Sequence, residues 1–384
     1  MSDLKTQRHR FEVLDMFRGI FASLVFLFHL GPFADTRILN NSFVENSDMF
    51  VDFFFVLSGF VIAYSYQSMP DLQSLKLFLT KRIYRIYPLH FVMLLAFAGM
   101  GIAKNLLNPY VKVNNLVNPA NTVYTFFTSL FLINSTPLPG VKDVSWNIPS
   151  WSISAEMIAY LVFGMLVVFI CSSKQISRRN SYYLLVVVIS LTGLWFVSES
   201  FQINYSFNYG FLRGILGFFT GVLCFNLFNQ TNEALRKLPA YLFSISEIVT
   251  ITVITTCICK GEELKPLGAI FEVLFFACIF IFSFEKGIIS SGLKNIGLLK
   301  KLGQYSYSIY MTHAFLISIF NVLFIRIIKL PPTSYSWLFI LNFILIYFVS
   351  AWMYKNVEMR FQYKKSKNTN GGKENAQVEL RGDI

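Results

Sequence analysis

Apolar stretches long enough to cross a bilayer recur ten times along this chain. They lie at roughly 13–31, 49–66, 88–104, 151–171, 182–198, 209–228, 240–258, 267–284, 305–327 and 336–354. A helical run of about 17–25 apolar residues matches the ~30 Å hydrocarbon core. The sequence therefore predicts an all-α polytopic membrane protein of about ten transmembrane helices. Only 14% of the 384 residues are charged against 54% hydrophobic, where a soluble domain carries about a quarter charged. That excludes a soluble globular protein, a disordered chain and a secreted disulfide scaffold. A further run, Val123–Ile133, is too short to span and reads as interfacial or re-entrant. The first helix does not read as a cleavable signal, because it lacks a small-residue cleavage site and Arg18 and His29 interrupt it. The five cysteines (171, 224, 257, 259, 278) all fall in apolar segments and read as buried thiols.

A formal net charge of +12 can signal nucleic acid, so the placement of the basic residues decides its meaning. Laid over ten alternating spans, 24 of the 33 Lys and Arg fall on the side of the termini, 8 on the other, and Arg213 inside a helix. Cytoplasmic loops are enriched in Lys and Arg. The bias therefore predicts an N-in, C-in orientation and no nucleic-acid partner. The expected segments are a cytoplasmic N-terminus over 1–12, a transmembrane domain over 13–360 and a disordered cytoplasmic tail over 361–384. The amphipathic stretch Leu72–Tyr87 is expected to lie in the headgroup plane. The region 105–150 forms one long outer loop.

Ionisable groups inside a bilayer are costly and point to function. They are Asp15, Arg18, His29, Asp52, Glu156, Arg213, Glu247, Glu272, His313 and Glu358. Arg18 and His29 are eleven residues apart, within about 20° of three helical turns and about 16 Å along the axis. They share one face, and Asp15 is close enough to pair with Arg18. Trp151-Ser152-Ile153-Ser154-Ala155-Glu156 opens a helix from the outer side, with Ser152 and Glu156 on one face and Trp151 suited to an aromatic belt. Ser306, Tyr310 and His313 form a polar stripe that either bonds neighbouring helices or lines a cavity. Lys81, Arg82 and Arg85 form a basic cluster that suits anionic lipid or a phosphate-rich ligand. His90 and His9 read as structural and solvated, respectively.

These residues fall in a pattern that resembles the acyltransferase-3 family of integral membrane O-acyltransferases. Leu14-Asp15-Met16-Phe17-Arg18-Gly19 followed by His29 is similar to its Arg-x10-His signature. Val51-Asp52-Phe53-Phe54-Phe55-Val56-Leu57-Ser58-Gly59-Phe60 is similar to its second-helix motif. Lys81-Arg82-Ile83-Tyr84-Arg85-Ile86-Tyr87-Pro88 is similar to its Arg-x-x-Arg-x-x-Pro loop. The segment from Trp151 to Glu156 resembles its Trp-Ser-x-Ser-x-Glu element, and Leu302 to His313 its ninth-helix motif. The likeness runs from about 12 to 360. The family often ends its last helix with Glu-x-Pro; here Glu358 is followed by Met359-Arg360. The length matches the stand-alone form, without a C-terminal soluble hydrolase-like domain.

The resemblance implies transfer of an acyl group, usually acetyl, from cytoplasmic acetyl-CoA to a hydroxyl of a bacterial surface or exported carbohydrate, including lipid-linked ones. It implies residence in the bacterial inner (cytoplasmic) membrane among membrane lipids. Acetyl-CoA acts as co-substrate and no tightly bound cofactor or metal is expected. His29 is the expected general base, since its ordinary pKa of about 6.5 lies near working pH. Arg18, Lys81, Arg82 and Arg85 are expected to gather the CoA phosphates, with Asp15 orienting Arg18. Glu156 holds the acceptor or polarises His29, and Ser58, Tyr310 or His313 donates to the oxyanion. Asp52 and Ser306 complete the candidates. Other acceptors (macrolide, lipid, peptide), another donor such as succinyl-CoA, an envelope-assembly component, and a transporter or channel remain open at this point. The absence of two similar halves weighs against the last.

Overall fold

The computed structural model describes residues 9–33, 36–107, 109, 118–170, 176–331 and 334–363. Most of the expected N-terminal segment, part of the outer loop, Cys171 and nearly all of the expected tail lie outside the described residues. Among the described residues there is no strand. The main helices are α1 (Glu12–Leu30), α2 (Phe50–Ser65), α3 (Leu72–Leu107), α4 (Val123–Leu130), α5 (Ser150–Ile170), α6 (Ile176–Ser198), α7 (Gly210–Leu235), α8 (Ala240–Cys259), α9 (Ala269–Phe282), α10 (Ile288–Lys294), α11 (Gly297–Asn321) and α12 (Tyr335–Met353). Among the described residues nine helices are long and apolar enough to cross a membrane. A tenth arises if the bent pair Gly261–Leu267 and Ala269–Phe282 counts as one span. An all-helical polytopic membrane architecture is thus what the apolar runs produce.

Two expected boundaries differ from the observed ones. The stretch Leu72–Tyr87 is not a separate interfacial segment; it is the first half of α3, a 36-residue helix that continues through Pro88. Asp71 starts it, accepting from the Ser74 hydroxyl and backbone N–H at 2.7 Å each. Those bonds pull the exposed Asp71 carboxyl below its ordinary value. At 1.5 Å per residue α3 is about 54 Å long, well beyond the ~30 Å hydrocarbon core. The run at 267–284 is not one straight span either. The chain turns by 102° at Gly268, and α9 alone, at about 21 Å, is too short to cross.

Two crossings set the frame, and both depend on glycine. A side chain at Gly19 would meet the Leu302 and Gly303 backbone at 2.4–2.5 Å, and one at Gly303 would meet the Asp15 carbonyl at 2.4 Å. These contacts, with Glu12–Lys300 at 3.0 Å, lay α1 along α11 in the same direction. On the other side, a side chain at Gly59 would meet the Phe218 carbonyl at 1.8 Å, and one at Gly221 the Val56 carbonyl at 1.8 Å. Small residues let membrane helices approach backbone to backbone. Phenylalanines fill the remaining space: Phe17, Phe21, Phe50, Phe53 and Phe282 form one edge-to-face and stacked cluster. Outer helices α6 and α12 leave Leu184, Val188, Ile340, Ile344 and Phe348 exposed, as lipid-facing surfaces should be.

The short run expected to be interfacial or re-entrant, Val123–Ile133, forms α4, started by a reciprocal Thr122–Thr125 capping box. It docks on α3, where His90 Nε2 donates to the Ser129 carbonyl at 2.9 Å and the Tyr87 hydroxyl to the Leu130 carbonyl at 3.0 Å. His90 is therefore a buried structural residue in mid-helix. His9 is exposed, with its ring 3.8 Å from Glu285.

Candidate active site

Five helices, α1, α2, α3, α5 and α11, surround a partly open cavity. Its wall takes Arg18 from α1, Ser58 from α2, Arg82 and Arg85 from α3, Ser152, Glu156 and Tyr160 from α5, and Ser306, Tyr307 and Tyr310 from α11. Seven candidates scattered over 290 residues of sequence thus converge. The α1–α11 crossing brings Arg18 beside the Ser306 stripe. The α2–α7 crossing holds Ser58 against α5.

Glu156 is the centre of the polar wall. Its Oε1 accepts from the Ser58 hydroxyl at 2.5 Å and from the Tyr160 hydroxyl at 2.5 Å, and those two hydroxyls are 3.0 Å apart. Tyr160 lies one helical turn after Glu156, as Ser152 lies one turn before it. The stripe seen from Ser152 to Glu156 runs one member further than expected. The Tyr310 hydroxyl meets Ser152 Oγ at 2.9 Å, so α11 and α5 are joined through the same wall.

The lining also carries a cationic cluster. Arg85 has Arg18 and Arg82 as like-charged neighbours and Glu358 as an opposite charge. Arg82 lies over the Tyr66 ring at 5.6 Å and donates to its hydroxyl at 3.5 Å. The countercharges are largely engaged elsewhere. Asp15 binds Arg10 at 2.8 Å and reaches Arg18 at only 3.7 Å. Glu358 accepts from the Ser308 hydroxyl. Three arginines in one wall, with their anions shared out, make an environment suited to a multiply charged anion. Lys81 is not in the wall.

The two histidines stand beside this cavity and outside its lining. The rings of His29 and His313 are 4.8 Å apart, and Tyr310 lies 5.8 Å from His313. Tyr310 therefore belongs to both groups. His29 Nδ1 donates to the Val25 carbonyl at 2.8 Å, which leaves the lone pair of the neutral ring on Nε2. Neither ring nitrogen of the buried His313 has a hydrogen-bond partner among the described residues.

Three other membrane-embedded charges have structural partners. Asp52 accepts a bidentate pair from Arg213 at 2.6 and 2.8 Å, both residues being buried. This ties α2 to α7 and keeps Asp52 out of the cavity. Arg213 also lies 5.4 Å over the Trp151 ring, so Trp151 is a buried cation–π partner and not a belt residue. Glu247 accepts from the backbone N–H groups of Gly287, Ile289 and Ser290 at 2.9–3.1 Å. Its place is to satisfy the start of α10. Among the described residues no group of three or more His, Cys, Asp or Glu could hold a metal ion.

Residues 11–355 match the family model of the acyltransferase-3 family, described as an acyltransferase domain. The chain belongs to the acyltransferase-3 family. This acyltransferase is 35% identical over 116 residues to acyltransferase MdmB of Streptomyces mycarofaciens, a match covering 30% of this chain and 27% of that protein. It is 27% identical over 164 residues to protein 2 in the picA locus of Rhizobium radiobacter, covering 40% of this chain and 81% of that protein. The chain thus aligns with little more than a quarter of MdmB and most of the second relative. No solved structure gives a significant match. Family membership favours an acyltransferase over a transporter. The family motifs supply most of the cavity wall.

Proposed function

We propose that this membrane acyltransferase moves an acetyl group from acetyl-CoA to a hydroxyl of a surface or exported carbohydrate, at the bacterial inner membrane. The observation that carries the reading is the single wall in which Arg18, Arg82 and Arg85 face the Glu156–Ser58–Tyr160 cluster. A CoA thioester carries both phosphates and an acyl group, and the cavity offers both arginines and a carboxylate–hydroxyl cluster. With the N-terminus cytoplasmic, as the basic-residue bias supports, the arginine end faces the donor's compartment. His29 then lies about 16 Å further along α1, a distance for a pantetheine arm to cover.

In this reading the acceptor hydroxyl attacks the thioester carbonyl while His29 Nε2 takes its proton. The carbonyl oxygen gains the charge, and the Tyr310 hydroxyl is the donor we assign to it. Tyr310 is chosen because it both lines the cavity and lies beside the histidine pair; its hydroxyl would turn from Ser152 to the carbonyl oxygen. The carbon–sulfur bond breaks, the CoA thiolate leaves, and the imidazolium returns a proton to it. Glu156, held by Ser58 and Tyr160, orients the acceptor. Asp15 positions Arg18, and Lys81 adds positive charge at the donor entrance.

The test is transfer of radiolabelled acetyl from acetyl-CoA by protein in vesicles supplied with glycan extract. Charge reversal at Arg82 and Arg85 should raise the donor KM at least tenfold. Unchanged donor affinity in a folded R82E/R85E protein would make these residues lipid anchors and overturn the donor reading.

A further inference from the structure

A second, partly open cavity lies between α2, α5, α6 and α7. Nothing in the reaction described above uses it. It adjoins the arginine wall through one residue: Tyr66 lines this second cavity and carries the Arg82 guanidinium on its ring and hydroxyl. Ile62 faces the first cavity and Ala63, Tyr66 and Gln67 the second. The two spaces therefore sit on neighbouring faces of the same end of α2.

The lining has three kinds of group. Arg179 is a cation fixed at the rim, its Nη1 donating to the Gln67 carbonyl at 3.1 Å. Asn226, Asn229 and Gln230 place three side-chain amides within one turn of α7, and Asn226 is held by Asn180 at 2.6 Å. Aromatic faces come from Tyr66, Tyr183 and Phe225. A pocket built only for lipid has no use for three amides. Asn and Gln amides read the paired donor and acceptor on the adenine edge, aromatic faces stack bases, and arginine forks match phosphate.

We propose that this cavity binds the 3′-phosphorylated adenosine end of the acyl-CoA donor. The adenine lies among Asn226, Asn229 and Gln230, the ribose phosphate meets Arg179, and the chain of the donor passes Tyr66 to reach Arg82. The inference rests on the CoA reading of the donor given above. It adds a site on α6 and α7, outside the five helices of the first cavity. It also gives Arg179, one of the basic residues that mark orientation, a ligand.

The test compares acetyl-CoA with acetyl-pantetheine, which lacks the nucleotide, and uses adenosine 3′,5′-bisphosphate as a probe, all on the full chain in nanodiscs. The wild type should show at least a tenfold higher KM for acetyl-pantetheine and competitive inhibition by the probe. In Arg179→Ala and in Asn229→Ala/Gln230→Ala the KM ratio should fall severalfold, the remainder reporting the phosphates at Arg82 and Arg85, and inhibition by the probe should weaken at least tenfold. Arg179→Lys should keep part of both. Inhibition and KM ratio unchanged in well-folded variants would overturn the proposal. So would probe binding that survives while activity becomes dependent on phosphatidylglycerol, which would make the cavity a lipid site. If neither donor yields transfer, the donor reading fails. Direct binding of radiolabelled probe then decides the site alone: binding lost on Arg179→Ala supports it, and no wild-type binding refutes it.

Discussion

Gly59→Ala tests whether backbone contact between α2 and α7 holds the site together. The new methyl carbon would lie 1.8 Å from the Phe218 carbonyl, where ordinary contact begins at 3.4 Å. A backbone carbonyl cannot swing away, so the helices must part by about 1.6 Å locally. Arg213 and Asp52 bridge the same interface two turns away at 2.6 Å. If the separation carried through undiminished, that contact would stretch to about 4.2 Å and cease to be a hydrogen bond. Overpacking costs about 1–3 kcal/mol, and loss of one partner from a buried pair about 3–5. The pair here is stretched and not removed, so about 2–5 kcal/mol in total is expected. Entropy scaling for a chain of this length gives about 0.8 kcal/mol per degree, hence a fall in Tm of about 3–6 °C.

Thermal unfolding in detergent can be followed with a thiol-reactive dye. Cys224 and Cys278 are buried, whereas Cys259 is exposed and sets the starting signal. Gly101→Ala is the control, because nothing lies within 4 Å of its added carbon and helical Ala is favoured over Gly by up to about 1 kcal/mol. It should raise Tm slightly. A wild-type Tm for Gly59→Ala would refute the close approach itself. The link to the ion pair has its own test: in an Asp52→Asn/Arg213→Met background, Gly59→Ala should cost less than in the wild type. Additivity within about 0.5 kcal/mol would show that the two features are independent.

Three further outcomes follow from the site. His29→Gln should lower kcat by about 10²–10⁴, the usual range for losing a general base, with donor KM unchanged; near-normal kcat in the acetyl-transfer assay would remove His29 from the chemistry. Tyr160→Phe deletes one of the two donors to Glu156, and a bond to a charged group is worth about 1.5–3 kcal/mol. Acceptor kcat/KM should fall about 10- to 100-fold, and no change would detach Glu156 from acceptor handling. Glu247→Leu strands three backbone N–H groups at about 1–3 kcal/mol each. It should therefore lower Tm more than Gly59→Ala does, and a smaller shift would mean that α10 finds other acceptors.

The sequence made legible what depends on position along one helix, and hid what depends on which helices touch. Helical spacing put Arg18 and His29 on one face and Ser152 with Glu156 on another, and hydropathy located nearly every span. The same spacing would have added Tyr160 at the next turn, had a tyrosine at that step been weighed as polar. Asp52 and Arg213 are separated by 161 residues, and no periodicity relates them. Each looked like an unpaired charge until the Gly59–Gly221 crossing set their helices in contact. The bend at Gly268 and the length of α3 were hidden for a related reason. An apolar run reports that a segment prefers lipid or a core, but not its direction, and a proline within a helix looks like a boundary even where the helix continues.

The partner relations also change what the embedded charges mean. Cost alone marks every ionisable group in the bilayer as a functional candidate, and that filter returned ten. Once partners are known, several of the ten separate by what their hydrogen bonds are for. Asp52, Arg213 and Glu247 are engaged by groups that would otherwise be buried unsatisfied, so they hold helices together and leave little for a ligand. Arg18 and Glu156, joined by Arg82 and Arg85 from outside the ten, face a shared space, and the anions that might neutralise the arginines are drawn toward Arg10 and Ser308. A buried charge whose partners lie behind it in the wall, while the cavity lies in front, remains electrostatically incomplete until a ligand arrives. That distinction leaves the arginine wall open to an anionic ligand and keeps the Asp52–Arg213 pair as scaffold.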